Sequence, residues 1–265
     1  MTTITEISDW MGEIAPLALT ESWDNTGLLL GCPDASVTRV QTCLTLTPAS
    51  VREAIAKQAN LVIAHHPLPF QPLAKITTHT VSGAMLWDLA RNGIGIYAPH
   101  TAWDSAPLGI NALLAQKLDL KNCVPLIPAE DPNLKGLGAG RMGSLSRSST
   151  VDELARNLAA CIPSSRPHGV RSEKPVCKVA IACGSGGSLL ASALEQGCDL
   201  FLTGEATFHT CLEAEAAEVS LLMIGHYASE RFAMEVLADK LKQEFSSVQA
   251  WASEEEQDPV VKLGP

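Results

Sequence analysis

Short apolar runs alternate along this chain with segments whose apolar residues recur at helical spacing, and that alternation restricts it to layered α/β architectures. Strand-like runs occupy residues 28–30, 40–46, 61–64, 94–98, 179–183, 200–202, 221–224 and 248–252. Helical spacing covers 4–18, 48–59, 81–91, 107–118, 151–160, 188–195, 207–217 and 229–245. Thr150 with Glu153 three residues on reads as a capping box opening one of these helices. The alternation breaks over 125–149, rich in Pro, Gly and Ser, which reads as a lobe boundary or a long functional loop.

Composition narrows the partners. Hydrophobic residues make up 46% and aromatics 5%, so the core is aliphatic and alanine-rich. The formal net charge is −10, with no dense Lys/Arg block, which argues against a nucleic-acid polymer. The acidic run 253–258 reads as a solvated surface segment. Eight cysteines form no Cys-x-x-Cys pair, several sit in apolar runs, and the start of the sequence has no basic, apolar leader. They are expected to be reduced core cysteines in a cytoplasmic protein. No apolar run approaches the roughly 20 residues of a membrane span, so a soluble chain with no membrane partner is expected.

Chemistry-bearing residues follow the strand-like runs, at the edge where crevices open in α/β sheets. His65-His66-Pro67 follows 61–64; neighbouring side chains of an extended segment point apart, so the two imidazoles suit two different ions better than one. Pro67 keeps His66 extended. His100-Thr101-Ala102-Trp103-Asp104 follows 94–98, and Asp104 there is either an oxygen ligand or a helix cap. Gly225-His226-Tyr227-Ala228-Ser229-Glu230 follows 221–224, with Ser229 placed to cap the next helix and Glu230 in its first turn, long enough to bridge two ions. His65, His66, Asp104, His226 and Glu230 offer more N/O ligands than one tetrahedral zinc needs and match a two-metal site. Mn, Fe and Zn all suit such donors. Gly184, Ser185, Gly186 and Gly187 form a turn that is either an anion cradle or a tight strand-to-helix connection. Glu205 and His209, after 200–202, are candidate proton shuttles, His209 equally a core histidine. His100 is a further candidate binding residue.

On Trp23-Asp24-Asn25-Thr26-Gly27-Leu28, the His65-His66-Pro67 and His100-to-Asp104 segments, Gly184-Ser185-Gly186-Gly187, Thr203-Gly204-Glu205 and Gly225-His226-Tyr227-Ala228-Ser229-Glu230, the chain resembles the GTP cyclohydrolase I type 2 homologues, also called NIF-three-like proteins. The resemblance runs nearly end to end. It implies two similar three-layer α/β lobes with mixed sheets. The first, 1–124 plus 226–265, would carry most of the ligands, and the second would be 125–225. It further implies a dinuclear site of His65, His66, Asp104, His226 and a bridging Glu230, and a ring-shaped homohexamer. Thr45, Ala102 and Gln71 stand where the family often has an acid, an asparagine and a lysine. The expected function is metal-dependent hydrolysis of a small molecule or nucleotide. The alternative is a non-catalytic metal-binding, trafficking or scaffold protein.

Overall fold

The computed structural model describes residues 1–261. The chain divides into two compact units, Met1–Ala102 with Ala233–Pro265, and Trp103–Phe232. Residues 262–265, assigned from sequence to the first lobe, lie outside the described residues.

The first part of the chain holds β1 (Gly27–Leu30), β2 (Arg39–Cys43), β3 (Leu61–Ala64) and β4 (Gly95–Ala98), with helices α1 (Ile4–Ile14), α2 (Pro48–Ala56) and α3 (Val81–Arg91). Next come α4 (His100–Ser105), α5 (Ile110–Lys117) and the strands β5 (Lys121–Val124), β6 (Ile127–Pro128), β7 (Gly138–Ala139) and β8 (Arg141–Ser149). Then follow α6 (Val151–Cys161), β9 (His168–Val170), β10 (Val176–Ala182), α7 (Leu190–Glu195), β11 (Leu200–Thr203), α8 (Phe208–Ala216) and β12 (Ser220–Met223). The chain closes with α9 (His226–Glu230), α10 (Ala233–Glu244) and β13 (Gln249–Ala252).

The first unit is a mixed sheet in the order β1-β4-β3-β2-β13, parallel from β4 to β13 and antiparallel at β1. Every residue of β3 and β4 is buried. Parallel strands covered on both faces read as unbroken apolar runs, which is why these two stand out in the sequence. Cys43, Val62, Ala64 and Ile96 meet Val51 and Ala54 of α2 and Met85, Leu86 and Leu89 of α3 in one core.

The second unit is a mixed sheet in the order β5-β8-β10-β11-β12-β9. Its centre, β10-β11-β12, is parallel, and β8 and β9 flank it antiparallel. Ala180, Phe201 and Leu221 pack with Leu190 and Ala193 of α7 and Ala214 of α8. Among the described residues no helix is long and apolar enough to cross a membrane.

Several expectations are corrected. The stretch 125–149 is not a boundary and is loop only in part, over 129–137: it supplies β6, β7 and the nine-residue β8, which pairs with both β5 and β10. Since α5 and β5 belong with β8, the units divide near residue 102, and His226 and Glu230 fall in the second unit with Asp104. Helical spacing over 107–118 yields α5 alone, with the short α4 standing before it, and that over 229–245 divides into the end of α9 and α10. Thr150 caps α6 by accepting the Glu153 N–H at 3.2 Å, but Glu153 turns its carboxylate to Arg147 and Ser149, so the box is half made. The acidic run is not wholly solvated: Glu256 is 6% exposed and accepts the N–H groups of Leu44 (2.9 Å) and Thr45 (2.6 Å). The cysteines form no disulfide among the described residues, yet Cys32, Cys123, Cys161 and Cys177 are exposed, so half are not core residues.

Candidate metal centre

The carboxyl ends of the parallel strands carry the polar residues of each unit. In the first, β2 runs on into Leu44-Thr45 and β3 into His65-His66, whose N–H groups continue the ladder to the carbonyls of Cys43 (2.9 Å) and Leu44 (2.8 Å). Beyond β4, His100 opens α4 at a φ of 31°, a left-handed backbone that turns the chain sharply at the strand end. The rings of His65, His66 and His100 converge, with centroids 5.1–5.5 Å apart. One nitrogen from each lies within 4.8 Å of the other two, a spacing that could hold a metal ion.

Two of these rings are oriented by oxygens. His66 Nδ1 lies 2.6 Å from Thr45 Oγ1, and His100 Nδ1 lies 2.7 Å from Asp24 Oδ1. Where Nδ1 donates, as toward the Asp24 carboxylate, a neutral ring leaves Nε2 with the lone pair that a metal ligand needs. Asp24 also accepts from Thr101 Oγ1 (2.5 Å) and from its neighbour Asn25 N–H (2.7 Å). Burial pushes its carboxyl up, but the bonds from Thr101 and His100 outweigh that and hold it below the usual range. Trp23 and Phe70, 57% and 44% exposed, stand about 6 Å from the His100 ring.

In the second unit β10 leads into Cys183-Gly184-Ser185, β11 into Gly204-Glu205 and β12 into Gly225-His226. Gly225 (φ 96°) is the N-cap of α9, so helix starts at His226 and places Glu230 one turn on. His226 Nε2 lies 3.1 Å from Glu230 Oε2 and its Nδ1 3.0 Å from Glu205 Oε1. Glu205 also accepts from Ser185 Oγ. The hydrogen bond to Glu230 leads in pushing the His226 imidazole up to about 9, against its burial and with help from Glu205. Bonds from His226 and Ser185 hold the Glu205 carboxyl low.

Gly184 is required where it is. It sits at φ +58°, and a Cβ there would meet Glu230 Oε1 at 2.2 Å and His226 Nε2 at 3.2 Å. Its N–H donates to Ser229 Oγ at 2.9 Å, and the Cys183 N–H to Asn111 Oδ1 at 2.8 Å. The close approach at Gly184 and its engaged amide fit the tight-turn reading of this segment at that residue. Ser229 is not a helix cap: it lies inside α9, where its hydroxyl donates to the His226 carbonyl at 2.8 Å.

Asp104 likewise caps nothing. It lies in α4, while the N-cap of α5 is Gly109. The Cys183 thiol, pushed well above its ordinary value by burial and then by the charges of Asp104 and Glu230, donates to Asp104 Oδ1 at 3.2 Å. His209 is exposed on α8 with its ring 6.2 Å from that of Phe208, and no hydrogen bond ties it to Glu205 or His226. Sequence reasoning missed the partners Asp24, Thr45, Asn111 and Cys183. Asp24 lay within the motif Trp23-Asp24-Asn25-Thr26-Gly27 and Thr45 was singled out as a departure from the family, but neither was given a role at a histidine.

Comparison with known proteins agrees along the whole chain. The family described as Duf34/NIF3 (NGG1p interacting factor 3) matches residues 2–259. A GTP cyclohydrolase 1 type 2 homolog of Clostridium perfringens is 31% identical over 259 residues, 97% of this chain and 98% of that protein. NIF3-like protein 1 of Drosophila melanogaster is 32% identical over 256 residues, covering 94% of this chain and 85% of its own. Among solved structures, the Staphylococcus aureus hypothetical protein SA1388 matches at a TM-score of 0.88 and 28% identity, covering 98% of this chain and 99% of that one. The expected mixed α/β fold is thus shown.

Proposed function

Because this chain belongs to the Duf34/NIF3 family, we propose that it is a dinuclear divalent-metal protein with hydrolytic activity, its ligands being His65, His66, Asp104, His226 and Glu230. The observation that carries this reading is the state of the histidines. His66 and His226 stand at strand ends with Nδ1 met by an oxygen, the arrangement that aims Nε2 at a metal. The donors fit: imidazoles and carboxylates suit Mn, Fe or Zn. The space fits too, since Gly184 clears Glu230 and His226 of any side chain from its loop. His100 joins the set as an additional ligand candidate beside His65 and His66.

Divalent ions held there supply Lewis-acid chemistry, polarising a substrate oxygen and easing ionisation of water near neutral pH. The protein's own groups do the rest. Asp24 and Thr45 fix the rings of His100 and His66. Glu205 is assigned an orienting role at His226 Nδ1 in place of an independent shuttle, and Ser185 steadies Glu205. Small molecules and nucleotides are the proposed substrates, GTP among them because relatives carry that name.

The test is turnover. Protein loaded with Mn, Fe or Zn is screened against nucleotides and phosphoesters beside a His66→Ala/Glu230→Ala double variant. The proposal predicts at least one substrate turned over roughly 100-fold faster by the wild type. Equal rates throughout would contradict hydrolysis and favour a metal carrier.

A further inference from the structure

Asp104 is held by a closed ring of contacts that no metal ligand provides. Its Oδ1 lies 3.2 Å from Cys183 Sγ, and its backbone carbonyl accepts from Asn111 Nδ2 at 3.1 Å. The other end of the same amide, Asn111 Oδ1, accepts the Cys183 N–H at 2.8 Å. Asn111 is 3% exposed and Cys183 9%. Turning the amide over would set NH₂ against an N–H and oxygen against a carbonyl, so its orientation is fixed. The ring therefore locks the exit of β10 to α4. From the other side, Arg141 donates to the carbonyls of Ser105 (2.9 Å) and Ala106 (2.5 Å), pinning the end of α4.

We propose that Cys183 and Asn111 are positioning residues for Asp104, engaging its Oδ1 through the thiol and its backbone carbonyl through the amide, and so setting how the carboxylate is presented to a metal. The thiol serves as a donor to Asp104 without ligating. The inference rests on the assignment of Asp104 as a ligand made above. It adds what decides how that carboxylate is presented.

Cobalt(II) is the probe, because its visible absorption reports coordination number independently of any activity. Metal-free wild type and the variants Cys183→Ala, Cys183→Ser, Asn111→Asp and Asp104→Asn are titrated against a competing chelator, with thermal melts confirming that each is folded. Cys183→Ala and Asn111→Asp should bind about tenfold more weakly, with an altered cobalt spectrum, as loss of an outer-sphere partner does. Cys183→Ser keeps a donor and should restore both readouts. The near-isosteric Asn111→Asp carries the test should Cys183→Ala not fold. Wild-type affinity and spectrum in Cys183→Ala, or a Cys183→Ser variant indistinguishable from Cys183→Ala, would overturn the positioning role. A wild type that binds no cobalt, or an Asp104→Asn variant that binds it unchanged, would instead overturn the ligand assignment beneath it.

Discussion

His66, His100 and His226 each set Nδ1 against a side-chain oxygen, from Thr45, Asp24 and Glu205 respectively. For His226 this has a pH consequence. In the metal-free protein its imidazole is pushed up to about 9, first by Glu230 and also by Glu205, so it is protonated at neutral pH. A raised value means that the pairing stabilises the fold fully below the ordinary 6.5 and fades as pH rises through about 9. Metal must displace that proton. Affinity should therefore climb roughly tenfold per pH unit between about 6.5 and 8.5, with near one proton released per binding event. Calorimetric titrations in buffers of different ionisation heat check this, and a flat profile would contradict it. The strand-end histidines were legible in the sequence because each directly follows an apolar run. Their partners were not, because Asp24 lies 76 positions from His100 and Cys183 lies 79 from Asp104, and nothing local marks such pairs.

Strands buried on both faces announce themselves, as β3, β11 and β12 do with four buried residues each. The strand β8 does not. Its sequence Arg-Met-Gly-Ser-Leu-Ser-Arg-Ser-Ser is polar and half-exposed, and pairing with β10 and β5 makes it a strand against its weak propensity. The short helices α4 and α9 escaped for a related reason: five or six residues are too few for an amphipathic period. The segment after β13 is held by Glu53 of α2. This carboxylate, 6% exposed, accepts from Ser253 Oγ (2.6 Å), Trp251 Nε1 (3.2 Å) and the N–H groups of Glu254 (3.1 Å) and Glu255 (3.2 Å). Burial pushes it up, but Ser253, Lys57 and the backbone amides together bring it below its ordinary 4.5. A depressed carboxyl stabilises above its unfolded value, and that contribution is lost as pH falls through the folded one. Glu53→Ala should cost about 1–3 kcal/mol at pH 7, a gap that narrows below pH 4. Urea melts at the two pH values measure it, and an equal gap at both would contradict the assignment.

The chain as a whole carries a formal charge of −10, so it attracts cations loosely whether or not it has a site. Specific binding separates from that background through stability: a ligand bound only to the folded state adds about 2.7 kcal/mol at a hundredfold excess over its Kd. The melting temperature should therefore rise with Mn, Fe or Zn in the wild type and stay put in a His66→Ala/Glu230→Ala variant. The alternation of strand and helix was readable from the outset. The place of division was not, because a Pro/Gly/Ser-rich stretch resembles a linker until β8 is seen paired. Most direct is the metal content, by elemental analysis, of protein equilibrated with Mn, Fe or Zn and then freed of loose ions by gel filtration. The account predicts two ions per wild-type chain and almost none in a variant lacking His65, His66, Asp104, His226 and Glu230. Equal content in both proteins, or none in the wild type, would contradict it.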